Sequence, residues 1–119
     1  MAKILLIDDD PDVRVVMSRV LQQEGYEVET AGSRDEALLK IAGGVPSLIL
    51  LDVLLSGADG RELCRELKGG EQTGQVPVIM FSGHPGAAQN FQSWGADDFI
   101  AKPFTSEALL EKLSRRLTT

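Results

Sequence analysis

Three stretches of the chain are apolar at nearly every position and close on a polar side chain: Lys3 to Asp8, Ser47 to Asp52 and Val76 to Ser82. They are too short for buried helices and lack the alternation of a half-exposed strand. They predict central strands of a parallel sheet covered on both faces. Tyr26 to Ala31 alternates, as an edge strand does, and Asp98 to Ala101 is a short fifth candidate. Between these runs the hydrophobic period lengthens to that of a helix. Val13, Val16, Met17 and Val20 share one face, with Asp10 as N-cap and Pro11 at the first helical position. Ser33 and Glu36 make a capping box before Ala37, Leu38 and Ile41, and Asp59 stands before Leu63, Cys64 and Leu67. Leu109, Leu110, Leu113 and Leu117 mark a last helix. His84 to Trp94 predicts a weaker one, because Pro85 and Gly86 sit at its start.

Five strands alternating with five helices, punctuated by Gly25, Gly43-Gly44, Gly69-Gly70 and Gly95, predict an α/β, doubly wound (βα)₅ sandwich. Residues 1–119 are expected to form one domain, a five-stranded parallel sheet of flavodoxin-like order 2-1-3-4-5. The topological switch then lies between the first and third strands, and ligands bind at the carboxyl ends of those strands.

Composition narrows the possible partners. The formal charge of the 119 residues is -6, and no Lys/Arg block is long enough to track a phosphate backbone, so direct nucleic-acid binding is not expected. The longest apolar runs fall far short of a membrane span and the amino terminus carries no basic-then-apolar signal, which predicts a cytoplasmic protein without a membrane partner. A single cysteine and a single histidine rule out an internal disulfide and a zinc cage, leaving Cys64 as a small buried apolar residue.

The predicted topology brings three carboxylates together: Asp8 and Asp9 end the first strand and Asp52 ends the third. Two such charges about 4 Å apart repel by roughly 4 kcal/mol at an effective dielectric near 20. A divalent cation resolves that conflict, and hard oxygen donors without histidine or thiolate favour Mg²⁺. Asp52 is then placed to attack a phosphoryl donor. Ser82 at the end of the fourth strand offers a hydroxyl to a phosphoryl oxygen, and Lys102 after the fifth offers a compact charge.

From Lys3 to the last helix the chain resembles the receiver domains of two-component response regulators. The carrying motifs are Leu6-Ile7-Asp8-Asp9-Asp10, Leu50-Leu51-Asp52, Ser82-Gly83 and the run from Gly95 through Asp97-Asp98-Phe99 to Lys102-Pro103-Phe104. The resemblance implies that Asp52 is the phospho-acceptor and that Asp8, Asp9, Asp52 and the backbone carbonyl of Leu54 hold Mg²⁺. It further implies that Ser82 and Lys102 engage the phosphoryl group, that Phe99 is the switch aromatic, and that Lys102-Pro103 is a cis peptide. The implied donor is a sensor histidine kinase or phosphotransfer protein. The implied output is a change in the surface of the fourth and fifth helices and fifth strand, read by a downstream protein target. Such a domain catalyses only its own phosphorylation and dephosphorylation. The chain departs from the family at Ser56, where many relatives carry proline, and in the shorter stretch from Ser82 to Gly95.

Simpler roles compete at single positions. Asp10 before Pro11 reads as a helix cap, His84 as a surface residue, and Phe99 equally as core packing; Trp94 is either core or part of an exposed patch. Two rival functions are a pseudo-receiver that recruits partners without phosphorylation, and a haloacid-dehalogenase-like phosphatase with Asp8 as nucleophile. The intact set Asp8, Asp9, Asp52, Ser82 and Lys102 argues against the first, and the lack of an acidic pair after Lys102 against the second.

Overall fold

The computed structural model describes residues 2–55, 57–84, 86 and 89–117. Its main strands are β1 (Lys3–Ile7), β2 (Glu27–Ala31), β3 (Leu48–Asp52), β4 (Val78–Ser82) and β5 (Asp98–Ala101). The helices are α1 (Pro11–Gln23), α2 (Arg34–Gly43), α3 (Gly60–Lys68) and α4 (Ser106–Leu117). All four pairings of the main sheet are parallel and its order is β2-β1-β3-β4-β5, the doubly wound arrangement expected from the alternating pattern.

The central strands are buried along their length because each face meets its own layer of helices. Leu5, Ile7, Ile49, Leu51, Val78 and Met80 point to the side of α2 and α3, where Ala37, Ile41, Leu63, Cys64 and Leu67 complete the cluster. Their alternating neighbours Ile4, Leu6, Leu48, Leu50, Ile79 and Phe81 meet Met17 and Leu21 of α1 and Leu109 and Leu113 of α4. Each such side chain contributes roughly 1.5–3 kcal/mol of apolar transfer. A one-residue slip would exchange the two faces, so the register is firmly set. That register places Ile7 beside Leu51, Asp52 beside Phe81 and Ser82 beside Ala101, so the acid-bearing ends stand side by side.

Helix starts follow their caps. Asp10 accepts the Asp12 N–H at 2.9 Å and Asp59 accepts that of Arg61 at 2.9 Å. Ser33 accepts the Glu36 N–H at 3.2 Å, but the Glu36 carboxylate takes the N–H of Gly32 at 2.6 Å, one residue ahead of the expected box. No helix among the described residues is long and apolar enough to cross a membrane.

Two features depart from the sequence pattern. A two-stranded antiparallel ribbon, Leu54–Leu55 with Ala58–Asp59, occupies the loop after Asp52; Ser56 lies outside the described residues. The expected fourth of five helices, His84 to Trp94, is not formed among the described residues. A 3₁₀ turn, Phe91–Trp94, stands there, and Pro85, Ala87 and Ala88 lie outside the described set. Asn90 adopts the left-handed conformation at φ 64° and Gly95 does so at φ 88°, and both interrupt a right-handed helix. The final helix is therefore the fourth among the described residues.

Candidate functional site

The site lies at the carboxyl edge of the sheet. Asp8, Asp9 and Asp52 each present a carboxylate oxygen, and these three atoms lie within 4.8 Å of one another. Asp8 and Asp52 are buried, while Asp9 is partly exposed. Asp8 is held by its own backbone N–H, which donates to the Ala31 carbonyl at 3.1 Å, and by the Asp10 N–H, which donates to Oδ1 at 2.9 Å. The Leu54 N–H donates to Asp52 Oδ1 at 3.3 Å. Gly60 allows the start of α3 to press against the end of β3. A Cβ there would stand 2.2 Å from the Asp52 carbonyl oxygen and 2.7 Å from that of Val53.

Lys102 reaches the same place from the end of β5. Its Nζ is 3.5 Å from Asp8 Oδ2, 3.9 Å from Asp52 Oδ2, and 4.8 Å from the centre of the Phe81 ring. The Lys102 N–H continues the ladder onto the Ser82 carbonyl at 2.9 Å, and the Lys102-Pro103 peptide is cis. One ammonium does not balance three carboxylates. Burial and then the charge of Asp8 push Asp52 up to about 6, with Asp9 adding to the rise and Lys102 and the Leu54 N–H opposing it. A close set of hard oxygen donors, strained by mutual repulsion and free of histidine or thiolate, suits Mg²⁺.

Ser82 is buried at the end of β4, its Oγ accepting the His84 N–H at 3.0 Å. Phe99 points inward, its ring centre 6.1 Å from that of Phe91. Trp94 is half-buried, packed on the core with Arg61 5.3 Å over its ring. Cys64 is a buried thiol pushed up to about 11 by burial. Beside the site, Val13, Val16, Met17, Pro103 and Phe104 line an apolar groove of about 610 Å³ that shares Lys102 with it.

Arg14 and Gly60 were not singled out by the sequence. The Arg14 guanidinium donates to the backbone carbonyl of Asp8 at 2.7 Å, a bond with no sequence signature because any residue supplies that acceptor. Gly60, following the cap Asp59, carried a signal only as a helix start.

The family model described as "Response regulator receiver domain" matches residues 4–114. The nitrogen assimilation regulatory protein NtrX of Azorhizobium caulinodans is 41% identical over 120 residues, covering 98% of this chain and 26% of that protein. Among solved structures, a response regulator described as putative from Chloroflexus aurantiacus superposes with a TM-score of 0.93 at 34% identity, covering 99% of this chain and 98% of the other. Chemotaxis protein CheY4 of Vibrio cholerae gives 0.91 at 35%, covering 98% and 99%. The chain spans about a quarter to a half of the length of the curated relatives it matches. The chain thus belongs to the response-regulator receiver family, the signalling modules of two-component systems that interact with histidine kinases.

Proposed function

We propose that residues 1–119 act as one receiver unit in which Asp52 accepts a phosphoryl group from a sensor histidine kinase or phosphotransfer protein, in a Mg²⁺-dependent reaction. The observation that carries this reading is the convergence of Asp8, Asp9 and Lys102 on the buried carboxylate of Asp52. An Asp52 oxygen attacks phosphorus and the new P–O bond forms. The bond from phosphorus to the donor's imidazole nitrogen breaks, its electron pair leaves with the imidazole, and that ring then takes a proton from solvent. Asp8, Asp9, Asp52 and the Leu54 carbonyl would hold Mg²⁺, which when bound offsets charge developing on the phosphoryl oxygens. The apolar groove beside Lys102 offers the donor a seat against the acceptor. Hydrolysis of the acyl phosphate returns Asp52 to its carboxylate.

Phosphorylation gives Ser82 and Lys102 a new partner. The Ser82 hydroxyl, which now accepts from His84, turns to donate to a phosphoryl oxygen, and Lys102 leaves its place between Asp8 and Asp52 to pair with another. Phe99 then shifts, and the surface formed by residues 89–97, β5 and α4 changes the population presented to a downstream protein. Full reversal from 1:99 to 99:1 takes about 5.5 kcal/mol of differential interaction.

Incubation with acetyl phosphate and Mg²⁺, followed by intact-mass measurement after acid quench, tests the reading. One added phosphoryl group is expected, lost with chelator and absent from Asp52→Asn. A folded, Mg²⁺-binding protein that gains no mass would instead be a pseudo-receiver.

A further inference from the structure

We infer that Arg14 is a positioning residue for the acid pair, clamping the backbone of Asp8 so that Asp8 and Asp9 hold the geometry that a divalent cation needs. The inference rests on the receiver reading of the site and extends it to a residue outside the ligand set.

The chain leaves β1 at Ile7 and enters α1 at Pro11, so the acid pair rides on a three-residue connection. Asp8 is 1% exposed, and a backbone carbonyl shielded from water is costly to leave without a donor. Arg14 supplies that donor from one turn into α1, its Nη1 lying 2.7 Å from the Asp8 oxygen. Its own backbone N–H donates to the Asp10 carbonyl at 3.1 Å, and the Asp10 N–H donates to Asp8 Oδ1 at 2.9 Å. Both ends of the connection are thereby tied to one side chain and one helix turn.

The seat of the guanidinium is specific. A Cβ on Gly32 would come within 2.8 Å of Arg14 Nη1, so a side chain there would displace the guanidinium from this seat. The Glu36 carboxylate fixes that loop through the Gly32 N–H at 2.6 Å and places negative charge near the guanidinium. The charge of Arg14 taken alone opposes a nearby dication. Removing Arg14 therefore raises Mg²⁺ affinity if charge dominates and lowers it if positioning dominates, and the two accounts differ in sign.

Mg²⁺ dissociation constants, read from the amide shifts of Asp9 and Leu54 in titrations of the intact chain, separate them. Arg14→Met is expected to weaken Mg²⁺ binding about tenfold, in the range that outer partners of metal ligands command. Arg14→Lys, which keeps the charge and one donor, falls between Arg14→Met and wild type. Gly32→Ala pushes the flexible guanidinium aside without touching charge and weakens Mg²⁺ binding in the same direction, which keeps the test decisive if Arg14→Met fails to fold. Exposed Arg19, on the same helix, is the control, and Arg19→Met leaves the constant unchanged. Folded Arg14→Met and Gly32→Ala proteins that bind Mg²⁺ as tightly as wild type, or more tightly, would overturn the inference while leaving the receiver reading intact. A wild-type chain that binds no Mg²⁺ would instead remove the reading on which the inference stands.

Discussion

The carboxyl edge of the sheet and the β4–β5 connection adjoin each other but are built by different means. The edge hangs on strand ends: Asp8, Asp52 and Ser82 close runs that are almost wholly buried, so their positions are set by two hydrophobic layers and the ladder between them. The connection has local turn bonds, such as Gly95 N–H to the Gln92 carbonyl at 3.0 Å, and is anchored further by side chains. Lys68 Nζ donates to the Val76 carbonyl and to Asp97, both at 3.0 Å, Asp97 accepts the Val78 N–H at 2.8 Å, and Phe91 and Trp94 lean on Phe99 and Arg61. The carboxylates proposed to carry the chemistry thus sit on the sheet ladder, and the surface proposed to report it relies on side-chain contacts and local turns.

The sharpest way to break the carboxyl edge is Gly60→Ala. Its added methyl meets the Asp52 and Val53 carbonyls, which are backbone and cannot swing aside. A loss of about 3 kcal/mol is expected in urea unfolding, with slower phosphorylation of the folded remainder.

The next effect is electrostatic. Because burial and Asp8 push Asp52 up to about 6 from an ordinary 3.8, the folded state holds that proton more tightly than the unfolded chain. Its contribution to stability is whole below the ordinary value and is lost as pH rises through about 6. In chelator, Asp52→Asn should therefore exceed wild type at pH 7 by on the order of 2 kcal/mol, the gap closing toward pH 4. Asp98 works in the opposite sense. Burial would raise it, but Lys112, the Phe99 N–H and Arg116 outweigh burial and hold it low, so its contribution falls away in acid.

Mg²⁺ should restore what the acids cost. At ten times its dissociation constant it stabilises the fold by about 1.4 kcal/mol, read as a shift in the urea midpoint that Asp52→Asn largely loses. The smallest effect probes the other region. Lys68→Met should cost about 1 kcal/mol and speed amide exchange over residues 89–97, with Mg²⁺ affinity unchanged. A change in that affinity would mean that the two regions are not separate.

The same contrast governs what the sequence revealed. Strand runs such as Leu48 to Asp52 were legible because burial on both faces leaves only apolar residues possible, and from their order alone Asp8, Asp9, Asp52 and Lys102 converge. Asp10, Ser33 and Asp59 announced their helices through capping chemistry that is local by nature. The stretch from His84 to Trp94, expected as a weak helix, gives only the 3₁₀ turn Phe91–Trp94 among the described residues, since Asn90 and Gly95 adopt left-handed backbone. The ribbon of Leu54–Leu55 and Ala58–Asp59 was too short to show a period. Arg14 and Lys68 escaped notice because the atoms they grip include backbone carbonyls, invisible in residue identity.

The central claim is that Asp52 receives the phosphoryl group. Borohydride reduction of the phosphorylated chain converts an aspartyl phosphate to homoserine, and peptide mass spectrometry then reads the position. The account predicts homoserine at position 52, formed only with Mg²⁺ present. Homoserine at position 8, or a stable adduct on any residue other than Asp52, would contradict it.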